Sequence, residues 1–274
     1  MPNHLLVVEG AHDAAFFGKL LARRGFNQIK KIAEVPEDWQ ALVPRRYPFT
    51  DVGSLDRMVT CPEFWANPER GDVCGLSVAN GDCSLLARVR DGVDQIDGEA
   101  FASIGIVLDA DYAVSPEERF AAFAETLIPW NEKAVSDLRP GFPLPVLERP
   151  SVIAGKTVRF GVHQLPGPAH HGTLETILLE CADILHPVLR AEATRVLDLA
   201  HASYAIDSPD VRKARTLSGR NKAECGIIAN VLMPGSSLAV SLRDCGWLPD
   251  DEALVPFVRD AAAFLDALLT DQPH

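Results

Sequence analysis

The chain has 274 residues, a formal net charge of −12 at pH 7 and 47% hydrophobic residues. This length suits one large α/β domain, or one domain with an appendage, and allows a substantial buried core. The acidic balance argues against a protein that holds nucleic acid mainly by bulk electrostatics, but it allows an enzyme that contacts phosphates through metal ions and a local basic patch.

Cysteine usage and hydrophobicity indicate a cytoplasmic protein. The six cysteines form no Cys-x-x-Cys pair, which argues against a zinc site or a disulfide framework and favours free thiols in a reducing cytosol. We expect no signal peptide, because the N-terminus runs directly into a strand. We also expect no membrane span, because no apolar stretch is long enough to cross a bilayer.

The first predicted element is a short strand, residues 4–8, which stops at Glu9 and Gly10. A helical pattern follows over about residues 11–24, and Asp13 falls in its first turn, where it can face the same side as Glu9. This predicts a strand-turn-helix unit with acids at the turn.

The next stretch, about residues 26–71, contains prolines and scattered aromatic residues that fit neither a long helix nor a clean strand. We interpret it as an insertion packed on the sheet. Residues 73–78 then predict the second core strand, with a turn at 80–82 and a helix over about 84–93.

The stretch from Ser103 to Asp111 is where we expect the chemistry. Its apolar run is typical of a strand buried on both faces of a parallel sheet. The run ends at Asp109-Ala110-Asp111, and residues 115–118 then predict a helix start with a capping box. Both carboxylates can turn toward one hard cation such as Mg²⁺. Taken alone, the pair could equally end the strand and solvate the turn.

The remainder predicts one more strand, residues 157–162, and then mostly helices. Thr173 is a predicted N-cap, which places Glu175 in the first turn of the following helix. Residues 140–150 predict a loop, and further helices are predicted over about 188–202, 221–232 and 253–269.

Acids therefore follow three predicted strands, as Glu9, as Asp109 with Asp111, and as Glu175. If the strands are neighbours, these side chains converge on one rim of the sheet. Carboxylates at close range repel one another and need a cation between them, and oxygen ligands favour Mg²⁺ or Mn²⁺. Two such ions can clamp the attacking and leaving oxygens of a phosphoryl transfer.

This arrangement resembles the TOPRIM domain of topoisomerases, bacterial primases and overcoming-lysogenization-defect (OLD-type) nucleases. The resemblance rests on Val7-Val8-Glu9-Gly10, on the hydrophobic run before Asp109-Ala110-Asp111, and on the strand-helix alternation between them. It is closest to the OLD-type nucleases and their stand-alone TOPRIM-like relatives. It implies a TOPRIM-like (Rossmann-like) α/β domain over residues 1–180, with a mainly parallel sheet flanked by helices, and a helical C-terminal extension over 181–274.

The resemblance also implies residue roles. The related nucleases carry a second acid four residues after the first glutamate, as Asp13 stands here, and a Ser-x-Glu at a later helix start, which Thr173-Leu174-Glu175 resembles. Their catalytic lysine corresponds to Lys222, with Lys213 as the alternative. The implied metal ligands are Glu9, Asp13, Asp109, Asp111, Thr173 and Glu175.

Each of these residues has a structural alternative. Glu9 could be a solvated turn acid, Asp13 and Glu175 could act on a helix dipole, and Thr173 could serve only as a cap. The acid-free basic run that includes Lys213 and Lys222 is either a solvated loop or a phosphate contact. We interpret His170 and His171 as loop residues.

The function expected from this resemblance is hydrolysis of nucleic-acid phosphodiesters, DNA more than RNA, in DNA processing or anti-phage defence. Two Mg²⁺ or Mn²⁺ ions would be bound, Glu9 would act as a base near the nucleophile, and Lys222 would stabilise charge on the phosphate. The chain lacks the ATPase domain of the full-length nucleases, so ATP gating would need a partner ATPase. A homo-oligomer is left open. The alternative is a non-cleaving regulatory or nucleic-acid-binding subunit.

Haloacid-dehalogenase-type phosphatases are a competing interpretation, because they also use an apolar strand that ends in Asp-x-Asp. Their motif usually lies on the opening strand and continues with a small pair such as Gly-Thr. Here Tyr112-Ala113 follows the motif and a unit bearing Glu9 precedes it, which favours the TOPRIM interpretation.

Overall fold

The computed structural model describes residues 2–43, 61–96, 101–137, 152–154 and 159–269. The strands are β1 (Asn3–Val8), β2 (Asn27–Ile29), β3 (Glu63–Asn67), β4 (Asp72–Val78), β5 (Phe101–Asp109), β6 (Val152–Ala154) and β7 (Arg159–Leu165). The α-helices are α1 (Ala11–Arg23), α2 (Leu85–Gln95), α3 (Pro116–Asp137), α4 (Leu174–Leu185), α5 (Pro187–Ser203), α6 (Leu217–Leu232), α7 (Leu238–Asp244) and α8 (Pro256–Leu269).

The chain divides into two compact units. The first contains Met1–Val107, Thr126–Val162 and Leu268–His274, and the second contains Leu108–Glu125 and His163–Ala267. The boundaries fall within β5, α3, β7 and α8. None of the helices in the described ranges is both long and apolar enough to span a membrane.

The strands form one sheet in the order β2-β3-β4-β1-β5-β7-β6. Its centre is parallel, because β1 pairs in parallel with both β4 and β5. The β2–β3, β3–β4 and β6–β7 pairs are antiparallel. The α/β class and the parallel arrangement of the predicted core strands are therefore confirmed.

Helices cover both faces of the sheet in the first unit. A side chain at Gly18 of α1 would meet Trp65 of β3, and one at Gly92 of α2 would meet Leu5 of β1. Leu5 pairs with Gly75 of β4, and Gly75 pairs with Phe64 of β3, so Leu5 and Phe64 share one face of the sheet. Trp65, the next residue of β3, points to the other face. Because successive side chains of a strand point to opposite faces, α1 and α2 lie on different faces. This explains why β1 is buried along its whole length.

The predicted insertion is corrected in part. Its described ends contribute β2 and β3 to the sheet, and Trp39 between them is fully buried. The Trp39 indole donates to Asn3 Oδ1 at 2.9 Å and packs edge-on against Phe64 and Phe101. The two strands have only three and five residues, which is too short for a periodic signal. Residues 44–60 lie outside the described residues.

Several predicted boundaries move. The spacing of Phe120, Phe123 and Leu127 predicts a helix that ends at Pro129. Helix α3 instead continues past this residue, because a proline removes one hydrogen bond without always ending a helix. Helix α6 begins at Leu217, four residues early, because the Thr216 hydroxyl caps it by accepting from the Gly219 amide at 3.1 Å. Helix α7 was not predicted. The predicted loop over 140–150 lies outside the described residues.

His163 of β7 gives the second unit a pH-dependent stability. Its ring is buried and stacks on Phe264 of α8 with centroids 5.1 Å apart, and within the described ranges neither ring nitrogen has a hydrogen-bond partner. Burial lowers the pKa of His163 from 6.5 to about 4, against the opposing effect of Asp260. The unfolded chain therefore binds this proton at a higher pH than the folded chain.

We expect this group to remove about 3 kcal/mol from the free energy of unfolding as the pH falls from 6.5 to 4. In the His163→Leu variant that loss should be absent, while His171→Leu, at an exposed position, should behave as wild type. Urea unfolding at several pH values measures the difference. Equal losses in wild type and His163→Leu would contradict the expectation.

Candidate functional site

The loop after β5 carries the predicted Asp-x-Asp pair in the second unit. Asp109 is the last residue of β5 and is half-buried, and Ala110 is fully buried with its amide donating to the Leu165 carbonyl at 2.7 Å. The Asp111 side chain is 48% exposed. The two acids thus flank a buried residue. The Asp111 carboxylate is open to solvent, whereas Asp109 Oδ1 is buried.

The structure joins this loop to the start of α4. Asp111 and Gly172 form an antiparallel bridge in which each amide donates to the other's carbonyl, at 2.8 and 3.0 Å. Asp111 adopts a left-handed conformation with φ of 59°. Gly172 has φ of 145°, and a Cβ there would lie 2.4 Å from the Thr176 hydroxyl, so this close approach requires glycine. Two predicted motifs, distant in sequence, therefore meet within one unit.

The Thr173-x-Glu175 pair is in direct contact. Thr173 is the N-cap residue of α4, as predicted, and Glu175 lies in its first turn. The buried Thr173 hydroxyl donates to Glu175 Oε2 at 2.7 Å. The Thr173 hydroxyl therefore orients the Glu175 carboxylate, and Thr173 also stands at the start of α4.

A second set of hydrogen bonds connects the loop to α4 and α6. The Tyr112 hydroxyl lies 3.1 Å from Thr176 Oγ1 and accepts from Asn221 Nδ2 at 2.8 Å. The Thr173 amide also donates to Thr176 Oγ1, at 3.3 Å. This chain of contacts places the N-terminal half of α6, which carries Lys222, beside the Asp-x-Asp loop.

Arg119 is a further residue beside the acids that the sequence interpretation missed. The predicted capping box forms, since the Ser115 hydroxyl and the Glu118 carboxylate each bond the other's amide at 3.1 Å. Arg119 is then in the first turn of α3, where its Nε donates to the Asp109 carbonyl at 3.4 Å and its Nη2 lies 3.9 Å from Asp111 Oδ2. The capping box was the available signal, because it fixes which residues occupy that turn. No local sequence pattern pointed to the contact between Asn221 and Tyr112.

The basic run is divided between structural residues and exposed lysines. Arg215 donates to the carbonyls of His201, Tyr204 and Ala205 at the end of α5, and Arg220 pairs with Asp198 and Glu224. Lys213 and Lys222 are exposed. Lys222 follows Asn221, whose side chain contacts Tyr112.

The predicted acids of the first unit lie at the end of β1. Asp13 Oδ2 accepts from the Gly10 amide at 2.7 Å at the start of α1, so the structural alternative for this residue is realised. Glu9 follows Val8, whose register partner in β5 is Val107, two residues before Asp109.

The described residues contain no preformed metal cluster. Within the described ranges no group of three or more His, Cys, Asp or Glu side chains is arranged to hold a metal ion, so the predicted acids do not form such a cluster. All six cysteines are free, and burial, aided by nearby Glu175, raises the pKa of Cys225 well above its usual value. The His170 ring packs edge-on against Phe257, as expected for a loop residue.

Comparison with known proteins relates the fold to others. The family model described as "Protein of unknown function (DUF3226)" matches residues 3–217. The crystal structure of the hypothetical protein PH0156 from Pyrococcus horikoshii OT3 is similar with a TM-score of 0.54 and 18% identity, over 98% of each chain. A protein of unknown function from Thermoplasma acidophilum matches 74% of this chain and 85% of its own, with a TM-score of 0.23 and 11% identity. No curated protein matches. The first likeness indicates a shared fold.

Proposed function

The chain belongs to the DUF3226 family of proteins of unknown function, and we propose that it is a divalent-metal-dependent nuclease that hydrolyses nucleic-acid phosphodiester bonds. The supporting observation is the bridge between Asp111 and Gly172, which joins the Asp-x-Asp loop to the start of the Thr173-x-Glu175 helix. The proposal includes a TOPRIM-like fold, which the parallel β4-β1-β5 centre supports.

The donor chemistry fits Mg²⁺ or Mn²⁺. Mg²⁺ is usually held by one or two carboxylates together with substrate phosphates and water, rather than by a cage of protein ligands. Asp109 and Asp111 supply two carboxylates, which suits this mode even though the described residues form no three-member cluster. When bound, such a cation supplies Lewis-acid stabilisation of charge on the phosphate.

The roles of the remaining residues follow from their positions. For Glu9 we keep the role expected from the sequence, which is to accept a proton from the attacking water. The Lys222 ammonium would stabilise negative charge on the phosphate oxygens. Glu175, held by the Thr173 hydroxyl, would add a third carboxylate when substrate is bound. Asp13 has its capping role in the first unit.

A cleavage assay tests the proposal. Purified protein is incubated with plasmid DNA, single-stranded DNA and RNA, with Mn²⁺, Mg²⁺ or a chelator. We expect cleavage with either cation, DNA in preference to RNA, and none with chelator. Intact substrates in every cation condition would contradict the proposal.

A non-cleaving nucleic-acid-binding or regulatory subunit, acting with a partner ATPase, is the second candidate. It is favoured by the lack of a three-acid cluster among the described residues and by the internal pairing of Arg215 and Arg220. A gel-shift experiment on the same samples distinguishes the two functions. A shifted nucleic-acid band without cleavage supports the non-cleaving subunit.

A further inference from the structure

Tyr112 occupies a distinctive place in the second unit, directly after Asp111 and half-buried between two helices. Because the Asn221 Nδ2 group can only donate, the Tyr112 oxygen accepts there and its proton is available to Thr176 Oγ1. Thr176 Oγ1 also accepts from the Thr173 amide. One phenolic oxygen therefore links the Asp-x-Asp loop to α4 and α6.

Asp111 needs such support. A left-handed conformation costs aspartate less than most residues with a Cβ, because its short polar side chain can bond locally, but the conformation still depends on the surrounding contacts. Two backbone bonds to Gly172 hold Asp111 on one side, and the Tyr112 hydroxyl holds the next residue. Without the hydroxyl, the contacts of Tyr112 with Thr176 and Asn221 are lost, and the adjacent Asp111 is held less firmly.

We infer that Tyr112 is a positioning residue whose hydroxyl, held by Asn221 and Thr176, sets the divalent-cation affinity of the Asp109–Asp111 pair. This inference rests on the proposed function. Residues that orient ligating carboxylates are known to change metal affinity by about 10- to 100-fold when they are substituted. Tyr112→Phe deletes a single oxygen and leaves the ring in place, so it isolates this contribution.

The test is a titration of the free protein with Mn²⁺, followed by electron paramagnetic resonance, beside the cleavage assay. We expect Tyr112→Phe and Thr176→Val to weaken Mn²⁺ binding by about 10- to 100-fold. Thr176→Ser, which keeps the hydroxyl, should restore binding to near the wild-type value. Urea unfolding of each variant verifies that it is folded.

A double variant adds a readout that a purely structural role would not give. If Asn221 acts through the Tyr112 hydroxyl, Tyr112→Phe combined with Asn221→Ala should bind Mn²⁺ no more weakly than Tyr112→Phe alone. Wild-type affinity and cleavage in Tyr112→Phe would overturn the inference and leave the proposed function intact. Wild-type protein that neither binds Mn²⁺ nor cleaves any substrate would overturn both.

Discussion

The Asp109→Asn variant should lose cation-dependent cleavage by on the order of 10²- to 10³-fold while it remains folded. Asparagine has nearly the same shape as aspartate but lacks its charge, so it is a poor ligand for a hard cation. Asp109 is half-buried at the end of β5, and Arg119 contacts its backbone carbonyl, which the substitution keeps. The loss should therefore reflect the missing carboxylate.

A matched control is Asp250→Asn, which removes the same charge from an exposed bend before α8. It should cleave at the wild-type rate. Initial rates on one DNA substrate at saturating Mn²⁺ compare the three proteins. An Asp109→Asn variant that cleaves as fast as Asp250→Asn would show that the acid has no part in the reaction.

The Glu224→Ala variant should lose about 3 kcal/mol of unfolding free energy. Glu224 is buried on α6, where its carboxylate pairs with Arg190 of α5 at 2.6 Å and with Arg220 at 3.1 Å. The Thr194 hydroxyl donates to the same carboxylate at 3.3 Å. Truncation leaves two guanidinium groups without this partner. Because Arg190 is 23% exposed, water offsets part of the loss and the lower end of the usual range applies.

Glu192→Ala is the control for this prediction. Glu192 also pairs with an arginine, Arg195, at 2.6 Å, but both side chains are exposed. Exposed pairs contribute about 0 to 1 kcal/mol, so this variant should unfold near the wild-type midpoint. Equal destabilisation of the two variants in urea would show that burial does not determine the strength of the α5–α6 contact.

The sequence predicted the elements that have strong local signals. The apolar run before Asp109 gave β5, the Ser115–Glu118 capping box gave the start of α3, and Thr173 gave the start of α4. Each signal depends on residues a few positions apart. Strands β2 and β3 escaped prediction, because strands of three and five residues carry little pattern.

The residues of the candidate site also divide into those that have a local sequence signal and those that have none. The acids of the candidate site were predicted because they follow predicted strands, and the Asp111–Gly172 bridge brings two of the motifs together. The hydrogen bonds of Tyr112 to Thr176 and Asn221 join segments far apart in the chain, so no local pattern could reveal them. Only the tertiary contacts show that Arg215 and Arg220 of the predicted basic run bind other residues of the protein.

Anomalous diffraction from crystals grown with Mn²⁺ tests the central proposal most directly. If Asp109 and Asp111 hold a catalytic cation, a manganese peak should lie within bonding distance of their carboxylate oxygens and be absent in Asp109→Asn crystals. Manganese bound only elsewhere, or an unchanged peak in the variant, would contradict the proposal.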